Sequence, residues 1–444
     1  MLSSLHDALA SIPSLVKSPI LFCQVFYFFF TGILGLVAIL GIACVEFARK
    51  FIPFLSHMID FGPPAWFQLH ENEDINVWLN NQKATINFSF AGALKPCDTL
   101  PLRAAANENI ALAFNITNSL TTTSPSTHRE FLKIASSIIN RSDRDWTALF
   151  ETATSTLTAE LTRHPSQPLH LAEATRITCL KVVLMDNFYI ADPSKNLPRD
   201  SLVMITEQIN KQWLKAKTSA EKPTSSPLLT RHLNVLGLKH RSLNTFPKPE
   251  EVLSIIMPQY ETLWRVVMAT YLLAFHLYPS PTLAARLSPV PGCLGTKSPE
   301  ENEALKLAKE GLRLTPSNKR IYRHTPSPSS QTIKADLELM HRHPYIWGPS
   351  ALEFNPYRFD NLTPLQREAY LPYSLRPHRC PAFGGFGDRM VTCLVVAMGR
   401  VLDTTTAAGK VFDKDWVDGK AETEREWVDT GRDGLEGWRY QPAL

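Results

Sequence analysis

The sequence lacks the features that mark several common classes of protein. Its seven cysteines show no paired spacing, so neither a disulfide framework nor a zinc module is indicated. Its net charge of +4 is too small to argue for nucleic acid binding. No repeat or collagen-like period is present, although 33 prolines and 19 glycines indicate many loops. With 444 residues, 44% of them hydrophobic, the chain is long enough for one large core or two ordinary domains.

One long segment near the N-terminus carries no charge. Residues 19–45 exceed the roughly 20 apolar residues that cross a bilayer as a helix. A signal peptide and a buried core helix are the alternatives, but the run is too long for a signal peptide and no small-residue cleavage site follows it. Basic residues are more frequent after the run (Arg49, Lys50) than before it (Lys17), which predicts a cytosolic C-terminal bulk. The expected segments are a lumenal 1–18, a transmembrane 19–45, a basic, Pro-rich hinge 46–64 and a main domain 65–444.

Hydrophobic spacing predicts that the main domain is mainly α-helical with small β-sheets. An alternation of apolar and polar residues over 84–90 predicts a short strand. The acidic stretch 403–444 resembles a loop, although its three tryptophans indicate that part of it packs. Helices are expected over 128–139, within 145–187, over 200–215, over 250–277, from 301 to the residue before Pro316, and over 386–402.

The most informative stretch is 370–402, in which a cysteine precedes an apolar helix. Cys380 lies in a turn rich in Pro, Arg and His. The dipole of the following helix and the nearby cations are expected to favour its thiolate over its thiol. Such a loop suits an anionic sulfur that binds a metal, and the alternative is a structural cysteine. The cations are Arg376, His378 and Arg379, and the apolar face is formed by Phe386, Met390, Leu394, Val395, Met398 and Leu402.

Two earlier helices carry polar groups at helical spacing. In the helix over 250–277, Pro258 removes a hydrogen bond and is expected to loosen the turn in which Glu261 and Thr262 lie. The alternative is an ion pair between Glu261 and Arg265 across one turn. In the helix that begins at 301, Glu310 and Arg313 share one face, and an exposed pair of this kind contributes only about 0.5 kcal/mol.

Taken in their order along the chain, these features resemble the cytochrome P-450 family, in particular a divergent, largely fungal branch. The resemblance is specific over about 250–402 and weak over 60–250. EGLRLTPSNKRIYR, which contains Glu310 and Arg313, resembles the Glu-x-x-Arg helix and the strand after it, and FNPYRF resembles the Pro-x-Arg-Phe segment. The haem-binding loop Pro-aromatic-Gly-x-x-Pro-x-x-Cys-Pro-Ala is matched by Pro372, Tyr373, Pro377, Cys380, Pro381 and Ala382, with Ser374 in place of Gly.

The resemblance implies a P-450-like fold behind one transmembrane helix, and a role for each matched residue. Cys380, in the haem loop 370–386, would be the axial ligand of haem b. Glu261 and Thr262 would form a proton relay, with Pro258-Gln259 replacing the usual small pair. Glu310 and Arg313 would lock onto Arg358 and hold the haem scaffold. The residues that would hold the haem propionates are His128, Arg129, Arg320, Arg323 and His378.

The implied activity is that of a haem-thiolate monooxygenase in the endoplasmic reticulum membrane, with one membrane span and a cytosolic catalytic domain. Electrons would come from an NADPH-dependent flavoprotein reductase, and O2 would be a co-substrate. The substrate is expected to be small and lipophilic, as in terpenoid or polyketide secondary-metabolite biosynthesis. Two alternatives stay open. One is a haem-thiolate isomerase or peroxide-using enzyme, and the other is a haem-free, membrane-anchored binding protein.

Overall fold

The structure, a computed structural model, describes residues 74–442 apart from 93, 96, 142–143, 219–220, 242–244, 326–330, 403–408 and 414–430. The predicted anchor over 19–45 and the hinge over 46–64 lie outside these residues. Within the described part of the chain, no helix combines the length and apolarity needed to cross a membrane. The prediction of a mainly α-helical chain with small β-sheets is confirmed.

The helices are numbered in chain order, and most begin at a Ser, Thr or Asp cap or at a proline in their first turn. The first half of the chain contains α1 (Ile75–Asn87), α2 (Thr99–Ala105), α3 (Glu108–Phe114), α4 (Pro125–Ile139), α5 (Trp146–Arg163), α6 (Leu171–Asn187), α7 (Pro193–Asn196), α8 (Arg199–Thr218) and α9 (Pro227–Asn234). The second half contains α10 (Pro249–Tyr271), α11 (Pro281–Leu287), α12 (Val290–Cys293), α13 (Pro299–Leu314), α14 (Leu337–Arg342), α15 (Pro344–Trp347), α16 (Pro364–Ala369), α17 (Phe386–Val401) and α18 (Arg432–Glu436).

The described strands form small antiparallel sheets at the edges of this helical body. β2 (Phe188–Tyr189) pairs with β3 (Lys239–His240), and β4 (Arg320–His324) pairs with β5 (Thr332–Asp336). In the remaining sheet, β7 (Trp438–Pro442) lies between β1 (Leu169–His170) and β6 (Gly409–Asp413).

The core is a bundle in which α5, α6, α10 and α17 each pack against two of the others. α17 enters it with the apolar face that the sequence predicts, and the six residues of that face are all buried. Burial of one such side chain contributes about 1.5–3 kcal/mol. The helix that follows the Cys380 loop is therefore fixed along its whole length.

α10 passes through Pro258 without a break. Proline has no N–H, so the carbonyl group of Ser254, one turn earlier, loses its helical partner. The side-chain amide of Asn118 donates to that carbonyl oxygen at 3.2 Å. The backbone N–H of Thr117 also donates to the hydroxyl of Ser254. The loop before α4 thus replaces the hydrogen bond that the proline removes, and α10 continues to a π-helical turn over Leu272–Leu277.

The strand predicted over 84–90 is wrong, because α1 runs to Asn87 and a 3-10 turn follows. Trp78, Leu79 and Ile86 are buried and lie seven to eight residues apart, which is two helical turns. They pack into a second apolar cluster that includes Trp347. This burial outweighs the short local alternation, because a helix presents all three residues to the same cluster.

The loop predicted over 403–444 is also wrong in its described part. Residues 409–413 and 438–442 form β6 and β7, and α18 lies before β7. The expectation that part of this stretch packs is confirmed at Trp438, which is 1% exposed. β7 pairs with β1, about 270 residues earlier in the chain, and such a distant pairing leaves no local pattern.

The packing of α10 against α13 depends on a glycine. A Cβ added to Gly311 would lie 2.7 Å from Cγ2 and 2.9 Å from Cβ of Thr270. Thr270 is fully buried on α10, and its hydroxyl oxygen has no hydrogen-bond partner among the described residues. The two helices therefore approach each other at a distance that only glycine allows at this position.

Gly311→Ala should lower the free energy of unfolding by about 1–3 kcal/mol, because the added methyl group overpacks this contact. An exposed helical Gly→Ala change would instead gain up to about 1 kcal/mol. The double variant Thr270→Ala/Gly311→Ala should recover the loss. Gly292→Ala is the control, since its new Cβ would meet nothing within 4 Å. Urea unfolding followed by circular dichroism measures all of them, and a stabilised Gly311→Ala would contradict the packing described.

Candidate functional site

The Cys380 loop joins α16 to α17 and is closed by its own backbone. The N–H of Cys380 donates to the carbonyl oxygen of Tyr373 at 2.9 Å. The carbonyl oxygen of Cys380 accepts the N–H of Phe383 at 3.1 Å. The N–H of Gly387, in the first turn of α17, donates to the carbonyl oxygen of Ala382 at 3.1 Å. The thiol is therefore held in a tight loop that is continuous with a core helix.

The backbone explains the one departure from the haem-loop pattern. Ser374 stands where that pattern has glycine, and its φ is 63°, in the left-handed region. Glycine adopts this conformation without steric cost, whereas another residue pays roughly 1–2 kcal/mol. The position requires the left-handed turn, and in this chain a serine adopts it.

Cys380 lines a cavity of about 780 Å³ between its loop and the segment that links α1 to α2. The side chain is exposed to this space. None of the lining residues is acidic. They are Asn87, Phe88, Ser89, Gly92, Leu94, Thr99, Arg376, Pro377, Arg379, Cys380, Pro381 and Phe383.

The pKa of the Cys380 thiol is raised, because the surrounding protein desolvates the charged form. The backbone N–H of Ala382 and the charge of Arg103 act in the opposite direction. The expectation that the cations beside Cys380 in sequence lower this pKa is therefore wrong for the protein by itself. The residue Arg376 is exposed, and α17 begins only at Phe386, too far along the chain for its dipole to dominate. A coordinated cation would reverse the balance, because metal binding deprotonates a thiol.

A cluster of basic side chains lies beside the cavity and is formed by Arg103, His128, Arg323 and His378. The rings of His128 and His378 meet edge to face at 5.5 Å. The guanidinium of Arg323 lies 4.5 Å from the centre of the Phe88 ring, which in turn meets His378 at 5.5 Å. The cluster thus brings together residues from α2, α4, β4 and the Cys380 loop.

Hydroxyl groups hold the members of this basic cluster in place. Nε2 of His378 lies 2.7 Å from the hydroxyl of Thr99. Nδ1 of His128 lies 2.9 Å from the hydroxyl of Ser119, and Arg103 donates to that same hydroxyl at 3.0 Å. These partners are neutral, so they orient the basic groups without balancing their charge.

The basic cluster is electrostatically uncompensated. Burial lowers the pKa of Arg103 to about 10, and burial with the charge of Arg103 lowers that of Arg323 to about 9. Burial, followed by repulsion from Arg103, His128 and Arg323, lowers the pKa of His378 to about 3. Among the described residues, no carboxylate forms an ion pair with either arginine. Nδ1 of His378 and Nε of Arg323 are buried without a hydrogen-bond partner. This arrangement suits a bound anion.

Three of the five residues predicted to hold propionates are in the basic cluster, namely His128, Arg323 and His378. Arg129 and Arg320 are exposed outside it, and Arg320 forms an ion pair with Asp336 at 3.0 Å. Sequence reasoning missed Arg103, which lies in a short helix with no distinctive pattern. Only the packing of α2 against β4 brings it beside Arg323.

The structure brings Glu310, Arg313 and Arg358 into one buried network. Arg313 donates to both carboxylate oxygens of Glu310 at 2.8 Å, and Arg358 donates to one of them at 3.0 Å. Arg313 also donates to the carbonyl oxygens of His341 and Ala351 at 2.7 Å. The network ties α13 to α14 and to the segment that leads towards the Cys380 loop.

Glu261 and Thr262 lie away from the residues that line the cavity. The carboxylate of Glu261 is buried, lies 3.5 Å from Arg265 and forms a second ion pair with Arg432 of α18. The hydroxyl of Thr262 lies 3.4 Å from the carbonyl oxygen of Pro258 in its own helix. The ion pair with Arg265, the alternative weighed from the sequence, is thus present.

No protein-family model matches the chain. A stretch of 53 residues, 12% of this chain, is 40% identical to cytochrome P450 714B2 of Oryza sativa subsp. japonica, and the match spans 10% of the length of that relative. The chain is also similar to the crystal structure of the cytochrome P450DA haem domain, with a TM-score of 0.44, 14% identity and coverage of 77% of this chain and 87% of that one. For a 6-coordinated cytochrome P450 from Thermus thermophilus the values are 0.47, 18%, 72% and 83%. The function is therefore proposed from the site itself.

Glu310→Ala should lower the free energy of unfolding by about 3–5 kcal/mol, because it leaves the buried guanidinium of Arg313 without a counter-charge. Glu303→Ala is the matched control, since Glu303 and Lys306 have the same spacing on the same helix but are partly exposed. The control should change the stability by less than about 1 kcal/mol. Chemical denaturation of both variants gives the comparison, and equal losses would show that burial of the Glu310 network contributes nothing.

Proposed function

We propose that the protein is a haem-thiolate monooxygenase in which Cys380 is the axial ligand of the iron of haem b. The observation that carries the proposal is a cavity in which a thiol lies beside buried basic groups that no carboxylate balances. A haem has the complementary chemistry, since its iron binds a thiolate and its edge carries two carboxylates.

The donor set fits such a group. Arg103, His128, Arg323 and His378 would hold the propionates, and the unpartnered nitrogens of His378 and Arg323 would gain acceptors. Phe88 and Leu94 offer apolar surface in the same cavity. The exposed Arg129 and Arg320 are not needed in this arrangement.

A thiolate-ligated haem, when bound, supplies the oxidation of unactivated C–H bonds with O2 and reductase-supplied electrons. The chain contributes position and electrostatics. The N–H of Ala382 is directed at the sulfur of Cys380 and stabilises its anionic form. Glu310, Arg313 and Arg358 hold the segment that leads into the loop, so that the thiol keeps its place.

The remaining features of the proposal are its partners and its place in the cell. An N-terminal helix over 19–45 would anchor the enzyme in the endoplasmic reticulum membrane, with its catalytic part in the cytosol. Arg376 and Arg379, beside Cys380, would offer a docking face to the acidic surface of an NADPH-dependent flavoprotein reductase. The substrate would be a small lipophilic molecule of secondary metabolism that reaches the site from the bilayer.

Cys380→Ala should abolish thiolate-ligated haem, because no other cysteine lines the cavity. Cys97→Ala, which removes an exposed thiol, is the control and should bind haem as the wild type does. Haem content and the spectrum of the CO-bound ferrous protein measure the effect. A Cys380→Ala variant that keeps the red-shifted Soret band would contradict the ligand assignment. A wild-type protein without haem would favour the haem-free binding protein instead.

A second candidate is a haem-thiolate isomerase or peroxide-using enzyme. It is favoured by the ion pairs of Glu261 with Arg265 and Arg432, which occupy the predicted acid of the proton relay. An enzyme of this kind needs no delivery of electrons from a reductase. Turnover measured with and without the reductase separates the two candidates.

Because the Thr262 hydroxyl is directed at its own helix, we expect Thr262→Val to keep the wild-type ratio of product formed to NADPH consumed. A proton relay through this hydroxyl would give the opposite result, since loss of a positioned proton donor costs roughly 10²–10⁴ in rate. Thr262→Ser is the matched control, because it keeps the hydroxyl. A loss in the valine variant that serine restores would establish the relay.

A further inference from the structure

Tyr373 contacts the Cys380 loop through both its backbone and its side chain. Its carbonyl oxygen accepts the N–H of Cys380 at 2.9 Å. Its ring meets that of Phe383, on the other side of the cysteine, at 6.2 Å. Its phenol hydroxyl donates to Oδ1 of Asp388 at 2.6 Å. One residue thus connects the amide of Cys380 to the first turn of α17.

The side chain of Tyr373 can reach Asp388 because the helix carries a glycine between them. A Cβ added to Gly387 would lie 2.7 Å from Cε1 and 2.9 Å from Cζ of the tyrosine ring. The same glycine donates its N–H to Ala382 and so closes the loop. The ring therefore lies directly on the backbone of α17.

Asp388 is a fixed attachment point. It is 8% exposed and lies in the first turn of a helix whose apolar face is buried in the core. The N-terminal end of a helix also favours a carboxylate. A phenol bonded to this group cannot move without moving against the core.

We infer that the hydrogen bond from Tyr373 to Asp388 positions Cys380 and keeps its sulfur in place as a ligand. Tyr373 and Asp388 are positioning residues, since neither supplies the ligand atom. The hydroxyl is what does this, because phenylalanine would fill the same space and leave the loop attached by its backbone alone. The role of the bond in holding a metal ligand rests on the proposed function, whereas its effect on the loop does not.

The test compares Tyr373→Phe with Tyr370→Phe. Tyr370 is a buried tyrosine three residues away whose hydroxyl donates to the carbonyl oxygen of Lys309 at 3.1 Å, not to α17. Tyr373→Phe should speed amide hydrogen exchange over 378–387 about tenfold, the factor that corresponds to loss of one hydrogen bond to a carboxylate. Tyr370→Phe should leave this exchange unchanged. Mass spectrometry of peptides from the intact chain measures the effect without haem.

The second measurement is spectroscopic and uses the haem-loaded chain. Tyr373→Phe and Asp388→Ala should bind as much haem as wild type but lose the thiolate-type spectrum of the CO-bound ferrous protein about tenfold faster. Asp388→Asn keeps an oxygen acceptor and should restore the wild-type rate. The thermal midpoint is recorded alongside, because a purely structural role would lower it in proportion to the faster exchange.

The outcomes separate the two proposals. Wild-type exchange over 378–387 in Tyr373→Phe would overturn the inference, as would equal changes in both phenylalanine variants. Faster exchange in Tyr373→Phe with an unchanged thiolate spectrum would overturn the role as a ligand-positioning bond. A wild-type protein that binds no haem would remove the proposed function, while the exchange experiment would still decide whether the bond holds the loop.

Discussion

The buried carboxylate of Glu310 is the interaction on which the rest of the site depends. Two guanidinium groups bind it, and Arg313 also donates to the backbone of segments 28 and 38 residues later in the chain. Such a network is stable only when it is complete, because each charge would be strongly destabilising alone. The chain between α13 and the Cys380 loop therefore has one arrangement. Its far end is held separately by α17, whose apolar face lies in the four-helix core.

The charges around the cavity are arranged differently. The Glu310 network balances acid with base, whereas the basic cluster beside Cys380 has no described acid and keeps nitrogens without partners. A protein that folds only for stability would not retain this arrangement, because burial of like charges opposes folding. The imbalance is understandable when the missing charge belongs to a ligand. The same reasoning applies to the thiol, whose pKa is raised until a cation binds.

The helix α10 illustrates the limits of a motif. Glu261 and Thr262 have the types and spacing of a proton relay, but a motif does not state which way a side chain faces. The acid meets Arg432, which lies 171 residues later and in a stretch whose sequence resembles a loop. Pro258 was expected to loosen the helix, and Asn118 satisfies the carbonyl group that it leaves. Both differences come from partners distant in the chain.

By itself, the sequence determined the helical class, the apolar face of α17, the helix that ends before Pro316 and the grouping of Glu310 with Arg313. Each of these depends on spacing within one helix, which local periodicity records. Tertiary structure alone decided that Arg103 joins His128, Arg323 and His378, that 84–90 is not a strand, and that Tyr373 reaches Asp388. These outcomes depend on which segments meet, and a pairing between distant segments has no local signature. The physical reason is burial, which selects the partners that satisfy the most apolar surface and the most polar groups at once.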